Sequence, residues 1–267
     1  MERTITQSTT PFKFVSMEWL NAHTLSLKLQ PERPYPYRAG QYLALPLPAS
    51  QKSMPFSIAS KPTLVEGQKG NDHAAIEIQI GGVLPNSDLA LDIAQFRSHW
   101  LHQQSLFLGP AAGDAYFRET NNPITVIAGG SGFSYAKSVV LEALSQPDTS
   151  SITLYWGAKS LADLYEHEAM MALSKQHPQF EYVPVVESLS SKSKAKAGDA
   201  TKLHQGKLLD IFFANTSLKE EQDIYLCGRY QMVQTAYQQI VAINPELANR
   251  VHSDALPPQS VREKNHV

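Results

Sequence analysis

One cysteine, Cys227, occurs in 267 residues, so no disulfide can form within the chain and no cysteine cluster can hold zinc or an iron-sulfur group. That usage fits a reducing compartment. No run reaches the roughly 18 consecutive apolar residues of a membrane helix, and the first twenty residues lack an apolar stretch behind a basic start. The expected location is the cytoplasm, with no membrane partner. Charge of one sign is lacking as well. The 23 Lys and Arg against 25 Asp and Glu leave a net charge of -2, too little to gather nucleic acid or an anionic surface. Small molecules are therefore the expected partners. Hydrolysis has no support, because there is no G-x-S-x-G elbow and no His and Asn framework around the single Cys. His99 and His102 are three apart on an expected helix, but no third ligand joins them, so no metal site is expected.

What the chain does have is two contrasting rhythms. Its 42% hydrophobic content over this length suits two cores better than one. Between Phe12 and Arg118 short alternating runs such as "HTLSLKLQ" (23 to 30) and "AAIEIQI" (74 to 80) predict half-buried strands. The breaks "PERPYPYRAG" and "VEGQKGND" supply turn residues, so a small antiparallel barrel or sandwich is expected. One helix, 87 to 101, interrupts it behind a Ser-Asp start. After "FRETNNP" apolar runs alternate with amphipathic segments. Strands near 124 to 130, 151 to 157, 180 to 187, 223 to 228 and 249 to 255, with helices near 133, 161, 207 and 230, predict a five-stranded parallel sheet with flanking helices. The expected fold class is thus a two-domain β plus α/β protein, with domains 1–118 and 119–256 and a disordered tail, 257–267. The Lys- and Ser-rich stretch 188 to 207 reads as a solvated loop or, alternatively, as cations reaching an anionic ligand.

Two turns stand out. The first parallel strand runs into "GGSGFSYAKS" (129 to 138), whose glycines let backbone N–H groups approach an anion at a helix start. It is not a full G-x-G-x-x-G fingerprint, and a glycine turn also joins strand to helix without any ligand. "CGRYQM" (227 to 232) repeats the arrangement at the fourth strand, with Cys227 either beside a ligand or filling space as a buried thiol. Tyr35, Tyr37, Tyr42 and Phe56 are candidates for stacking on a flat ring or for barrel core.

Taken in order, "RAGQYL", "MPFSIAS" (54 to 60), "GGSGFSYAKS", "LYWGAK", "VPVVE", "CGRYQM" and "SDA" resemble the ferredoxin reductase superfamily, and within it the bacterial NAD(P)H:flavin oxidoreductases, including those associated with luminescence. The resemblance spans nearly the whole chain. It implies a flavin-binding barrel, an NAD(P)-binding domain, and hydride transfer from NADH or NADPH to riboflavin, FMN or FAD between them. It also implies site residues. Pro55, Phe56 and Ser57 would line the isoalloxazine, with the Ser57 hydroxyl near N5 as the catalytic group, and Ile58 and Ala59 would offer backbone groups to the ring edge. Gly129, Gly130, Ser131, Gly132 and Phe133 would face the pyridine nucleotide. Lys159 would lie near the adenosine ribose, and Cys227, Gly228, Arg229 and Met232 would form the second nucleotide-contacting turn.

Three departures refine the expectation. The resemblance implies that Arg usually stands where this chain has Met54, where a guanidinium can engage the ribityl or phosphate portion of the flavin. No Gly-x-x-Ser/Thr phosphate motif stands in "GGVLPNSDLA" (81 to 90). Leu256, rather than an aromatic, follows Ala255. The first two favour a flavin handled as a substrate over a tightly bound prosthetic group. Reduced flavin would pass to a flavin-dependent monooxygenase, a luciferase or a ferric acceptor. The alternatives are an FAD-containing electron-transfer reductase with a protein partner, and a non-catalytic nucleotide-binding docking subunit.

Overall fold

A computed structural model describes residues 9–63, 74–102, 104–147, 150–189, 203–219 and 221–257. The turn 65 to 72 and most of the Lys-rich stretch lie outside these residues, as does the tail beyond Pro257. The chain divides into two units, one ending at Gly113 and the other beginning at Asp114.

Among the described residues the first unit contains six strands: β1 (Thr10–Asn21), β2 (Thr24–Pro31), β3 (Tyr42–Leu47), β4 (Lys52–Ser57), β5 (Ile76–Gly81) and β6 (Leu106–Leu108). Four form an antiparallel sheet in the order β5-β2-β1-β6, and β3 pairs with β4. Bridges between Ile58 and Ile78 and between Tyr42 and Ala112 join the two sheets at both edges. The strand order thereby closes on itself as a small barrel, leaving few unpaired edges. Alternation decides its inside: Leu25, Leu27 and Leu29 of β2, Leu43, Leu45 and Leu47 of β3, and Ile76, Ile78 and Ile80 of β5 meet in one core. The helix α1 (Asp88–Leu101) adds Ile93 and Phe96 to it. Its start is capped by Ser87, whose side chain accepts from the N–H of Ala90, a bond of the kind that stabilises a helix by about 1 kcal/mol.

The second unit holds a six-stranded sheet where the rhythm predicted five. Its strands are β7 (Ile124–Gly129), β8 (Ile152–Ala158), β9 (Phe180–Val186), β10 (His204–Gln205), β11 (Asp223–Cys227) and β12 (Val251–His252), in the order β10-β9-β8-β7-β11-β12. All neighbouring pairs are parallel. The addition is β10, two residues paired with Val185 and Val186, within a stretch expected to be loop. The last strand is shorter than expected, because Pro245–Asn249 forms a 3-10 turn beginning with proline. Helices α2 (Phe133–Ala143), α3 (His167–Gln176), α4 (Leu208–Asn215) and α5 (Tyr230–Ile243) connect the strands. Leu256 is buried in the core of this unit with Phe212, Val233 and Leu247, so it serves packing.

Residues 114–118, which the rhythm grouped with the barrel, belong to the second unit for a physical reason. The Asp254 carboxylate accepts from the N–H groups of Asp114 (2.8 Å) and Ala115 (3.1 Å). The Tyr135 hydroxyl donates to the Ala115 carbonyl at 2.6 Å, and the N–H of Arg118 donates to the Tyr225 hydroxyl at 3.1 Å. These long-range bonds satisfy a segment without strand partners.

Candidate functional site

The register of the parallel sheet brings the two glycine turns together. Ala128 lies opposite Cys227, so β7 and β11 end side by side. The strand order runs outward in opposite directions from this pair, which makes it the switch point where open α/β sheets bind ligands. The turns touch closely. A Cβ on Gly132 would stand 2.6 Å from the Cys227 carbonyl oxygen, and one on Gly228 would stand 3.3 Å from the Gly129 Cα. The Met232 side chain wedges against both Gly129 and Gly228. These glycines therefore serve close approach between the two turns.

Gly130 is different. Its φ is +56° and a Cβ there would meet nothing within 4 Å, so this exposed residue leaves room for a ligand beside the backbone. Ser131 is exposed as well. Neither α2 nor α5 has a side-chain cap at its start, in contrast to α1. Uncapped N–H groups at two adjacent helix starts suit a pyrophosphate. Lys159, just past the end of β8, is exposed and makes no ion pair among the described residues. Arg229, before α5, is exposed too.

Two expectations for these turns change. Phe133 is fully buried, stacked on Trp156 with ring centroids 3.7 Å apart, so it packs behind the turn and cannot face a ligand. Gly132 is buried and acts through its contact with Cys227. The accessible part of the first turn is Gly129 to Ser131.

Burial pushes the Cys227 thiol up to about 12, and the negative charge of Asp254 adds to the effect, while the Gly228 N–H works against it. A neutral thiol is a poor nucleophile. Iodoacetamide at about pH 8 is expected to label Cys227 slowly in the folded protein and fully in urea, as read by intact mass. Rapid labelling of the folded protein would contradict this assignment. Burial likewise raises Asp254, although the two backbone N–H groups it accepts pull it down. Asp254, Tyr135 and Trp156 lie within the quoted motifs, but their long-range partners escaped the reading by motif. "SDA" marked the position of Asp254, but nothing local marked its bond to the start of the unit.

In the barrel, Pro55, Phe56 and Ser57 end β4, where Ser57 pairs with Tyr42, Phe56 with Leu43 and Pro55 with Ala44. Period two places Phe56 on the core side with buried Leu43, and it packs half-buried against the barrel core. Pro55 and Ser57 share the opposite face. Pro55 is exposed, and Phe56 and Ser57 each keep part of their surface open. Ser57 is half-buried, and among the described residues its hydroxyl takes no hydrogen-bond partner. Ile58 and Ala59 are fully buried, and their N–H groups donate to Gln41 O (2.9 Å) and Glu77 O (2.7 Å). Those two donors are spent on the barrel. Tyr35 and Tyr37 also belong to the barrel: each packs against the core, and their hydroxyls donate to Gly109 O and Lys61 O. Met54 is substantially exposed, and Ser87 is committed to its helix cap. Neither supplies a charged group for a flavin phosphate.

Residues 126–238 match the model of the oxidoreductase NAD-binding domain. A probable flavin reductase of Vibrio harveyi is 33% identical over 82% of this chain and 87% of its own length. The chain belongs to the flavin reductase family. A second Vibrio harveyi relative, an NAD(P)H-flavin reductase, is 31% identical over 91% of this chain and 96% of its own. Among solved structures, a ferredoxin NADP+ reductase from Neisseria gonorrhoeae with bound FAD and NADP has a TM-score of 0.63 at 17% identity, covering 89% of this chain and 92% of that one. This last likeness concerns the fold. Among the described residues no helix is long and apolar enough to cross a membrane. Among those residues no cluster of three potential metal ligands occurs either.

Proposed function

We propose that the chain reduces free flavins at the expense of NADH or NADPH. The observation that carries this reading is family membership over nearly the full length, with an NAD(P)H-flavin reductase matched across 91% of this chain. The local chemistry supports it. The uncapped turn at Gly129 to Ser131, the start of α5 and the Lys159 ammonium suit the phosphates and ribose of a dinucleotide. The Ser57 hydroxyl suits the flavin atom that receives hydride.

The reaction moves one hydride, two electrons with a proton, from nicotinamide C4 to flavin N5. The nicotinamide becomes oxidised, and one further proton completes the reduced flavin. The protein has to hold the two rings about 3–3.5 Å apart, since the difficult chemistry resides in the rings themselves. Ser57 donates a hydrogen bond at N5, and solvent supplies the remaining proton. Reduced flavin then leaves for an acceptor such as a flavin-dependent monooxygenase, a luciferase-like enzyme or a ferric complex.

With Met54 in place of a cation, recognition of the flavin phosphate is weak. Riboflavin and FMN are therefore expected to have KM values within about threefold of each other, because no charge-assisted hydrogen bond distinguishes them. The test follows oxidation of NADH and of NADPH with riboflavin, FMN and FAD in turn, alongside an absorbance scan of the purified protein. Turnover with all three flavins by colourless protein is the expected result. Failure with every flavin would overturn the proposal, and stoichiometric bound FAD would point to the electron-transfer alternative.

A further inference from the structure

We propose that Trp156 is the positioning residue of the nucleotide turn, its indole N–H holding the Gly130 carbonyl so that the exposed tip, Gly130 and Ser131, keeps its binding shape before a nucleotide arrives. The inference rests on the nucleotide reading of that turn given above. Trp156 lies in β8, the strand beside β7, and is fully buried. Its Nε1 donates to Gly130 O at 3.0 Å. The same carbonyl accepts from the N–H of Phe133, closing the 3-10 turn Gly130–Gly132. One carbonyl thus has two donors, one from the turn itself and one from the neighbouring strand. Gly130 sits at φ +56°, a conformation open to glycine that still needs an external restraint to be the sole one populated.

The indole is itself fixed. It stacks on Phe133, the first residue of α2, with centroids 3.7 Å apart and planes 14° apart, and Tyr165 packs edge-on against both rings. Next to Tyr165, Glu166 accepts from Lys137 of α2 at 2.8 Å with both side chains largely buried. The N-terminal half of α2 is therefore tied twice to the segment that follows β8, through Phe133 and Lys137, and Lys159 stands just past the end of that strand. Trp156 joins in one rigid group the turn suited to the pyrophosphate and the strand end suited to the ribose. Preorganisation of this kind lowers the ordering cost of binding. It acts on the nucleotide and leaves the flavin alone.

The test measures NADP+ and NAD+ affinity by calorimetry in the flavin-free protein, with steady-state constants alongside. Trp156→Phe keeps an aromatic ring on Phe133 and removes the donor. It is expected to weaken nucleotide binding and raise the nucleotide KM about 3- to 10-fold, the worth of one net hydrogen bond. The flavin KM and kcat should stay within about twofold. Gly130→Ala approaches the same turn from the other side without touching the core, since its Cβ has open space, and should weaken nucleotide binding by a similar factor. Combined with Trp156→Phe it should cost less than the product of the two. A third reading needs no core substitution: the Trp156 indole N–H resonance of the parent, assigned with Trp19→Phe and Trp100→Phe, should shift on saturation with NADP+.

Unchanged nucleotide affinity in folded Trp156→Phe would overturn the positioning role, as would fully multiplicative losses in the double variant or an unmoved indole resonance. If instead the parent neither binds a nucleotide nor reduces a flavin, the reading of the turn fails at its root, and that outcome is distinct from a parent that works and a variant that matches it.

Discussion

Replacing Ser57 with Ala is expected to slow single-turnover flavin reduction about 10- to 100-fold while leaving the melting temperature within about 1 °C of the parent. The rate effect corresponds to one hydrogen bond to an atom that changes charge and protonation, about 1.5–3 kcal/mol. The null effect on stability follows from the structure. Among the described residues the Ser57 hydroxyl bonds to nothing, and β4 meets β3 through its backbone at Tyr42, a bond Ala retains. Pre-steady-state mixing with reduced nicotinamide in excess reads the rate, and calorimetry reads the stability. A parental rate would remove Ser57 from the chemistry. A large fall in stability with the rate would instead make it a structural residue of the barrel.

Gly132→Ala should have the opposite signature. Its Cβ would meet the Cys227 carbonyl oxygen at 2.6 Å, the carbonyl carbon at 2.7 Å and the Gly228 nitrogen at 2.9 Å. All three are backbone atoms, so no rotamer change relieves the clash, and β7 and β11 must separate where their turns meet. Overpacking of this kind costs about 1–3 kcal/mol, which in a domain of this size lowers the melting temperature by roughly 2–10 °C. The displaced turns are those suited to the nucleotide, so nucleotide affinity should fall at least about 10-fold, a change of about 1.4 kcal/mol. Gly130→Ala supplies the internal comparison, because its cost lies in the backbone angle alone, about 1–2 kcal/mol. If Gly132→Ala melted and bound like the parent, the close contact between the turns would be wrong.

Much of this was legible in the residues because periodicity reports burial directly. The alternation in β2 and β5 told the barrel from the α/β unit, where continuous apolar runs such as "ITVIAGG" mark strands covered on both faces. The glycine turns were legible as places of close approach, but not which glycine approaches what. Gly132 meets the neighbouring turn and Gly130 faces open space, a distinction set by the pairing of Ala128 with Cys227. Phe133 reads as a ligand-facing aromatic in a motif, and it is buried because a tryptophan more than twenty residues away stacks on it. Two-residue β10 has no period to detect. The segment 114–118 has none either, and its allegiance is decided by Asp254 and Tyr135 far along the chain. The fate of the Ile58 and Ala59 donors was equally hidden, since a sequence does not state which carbonyl an N–H meets.

The central claim is that electrons pass from a nicotinamide to a flavin that the protein then releases. Its most direct test is an anaerobic reaction with catalytic protein, limiting NADH or NADPH and excess riboflavin, followed by ultrafiltration. The account predicts one reduced flavin formed per nicotinamide oxidised, with the reduced flavin recovered in the filtrate. Nicotinamide left unoxidised, or reduced flavin retained with the protein, would contradict it.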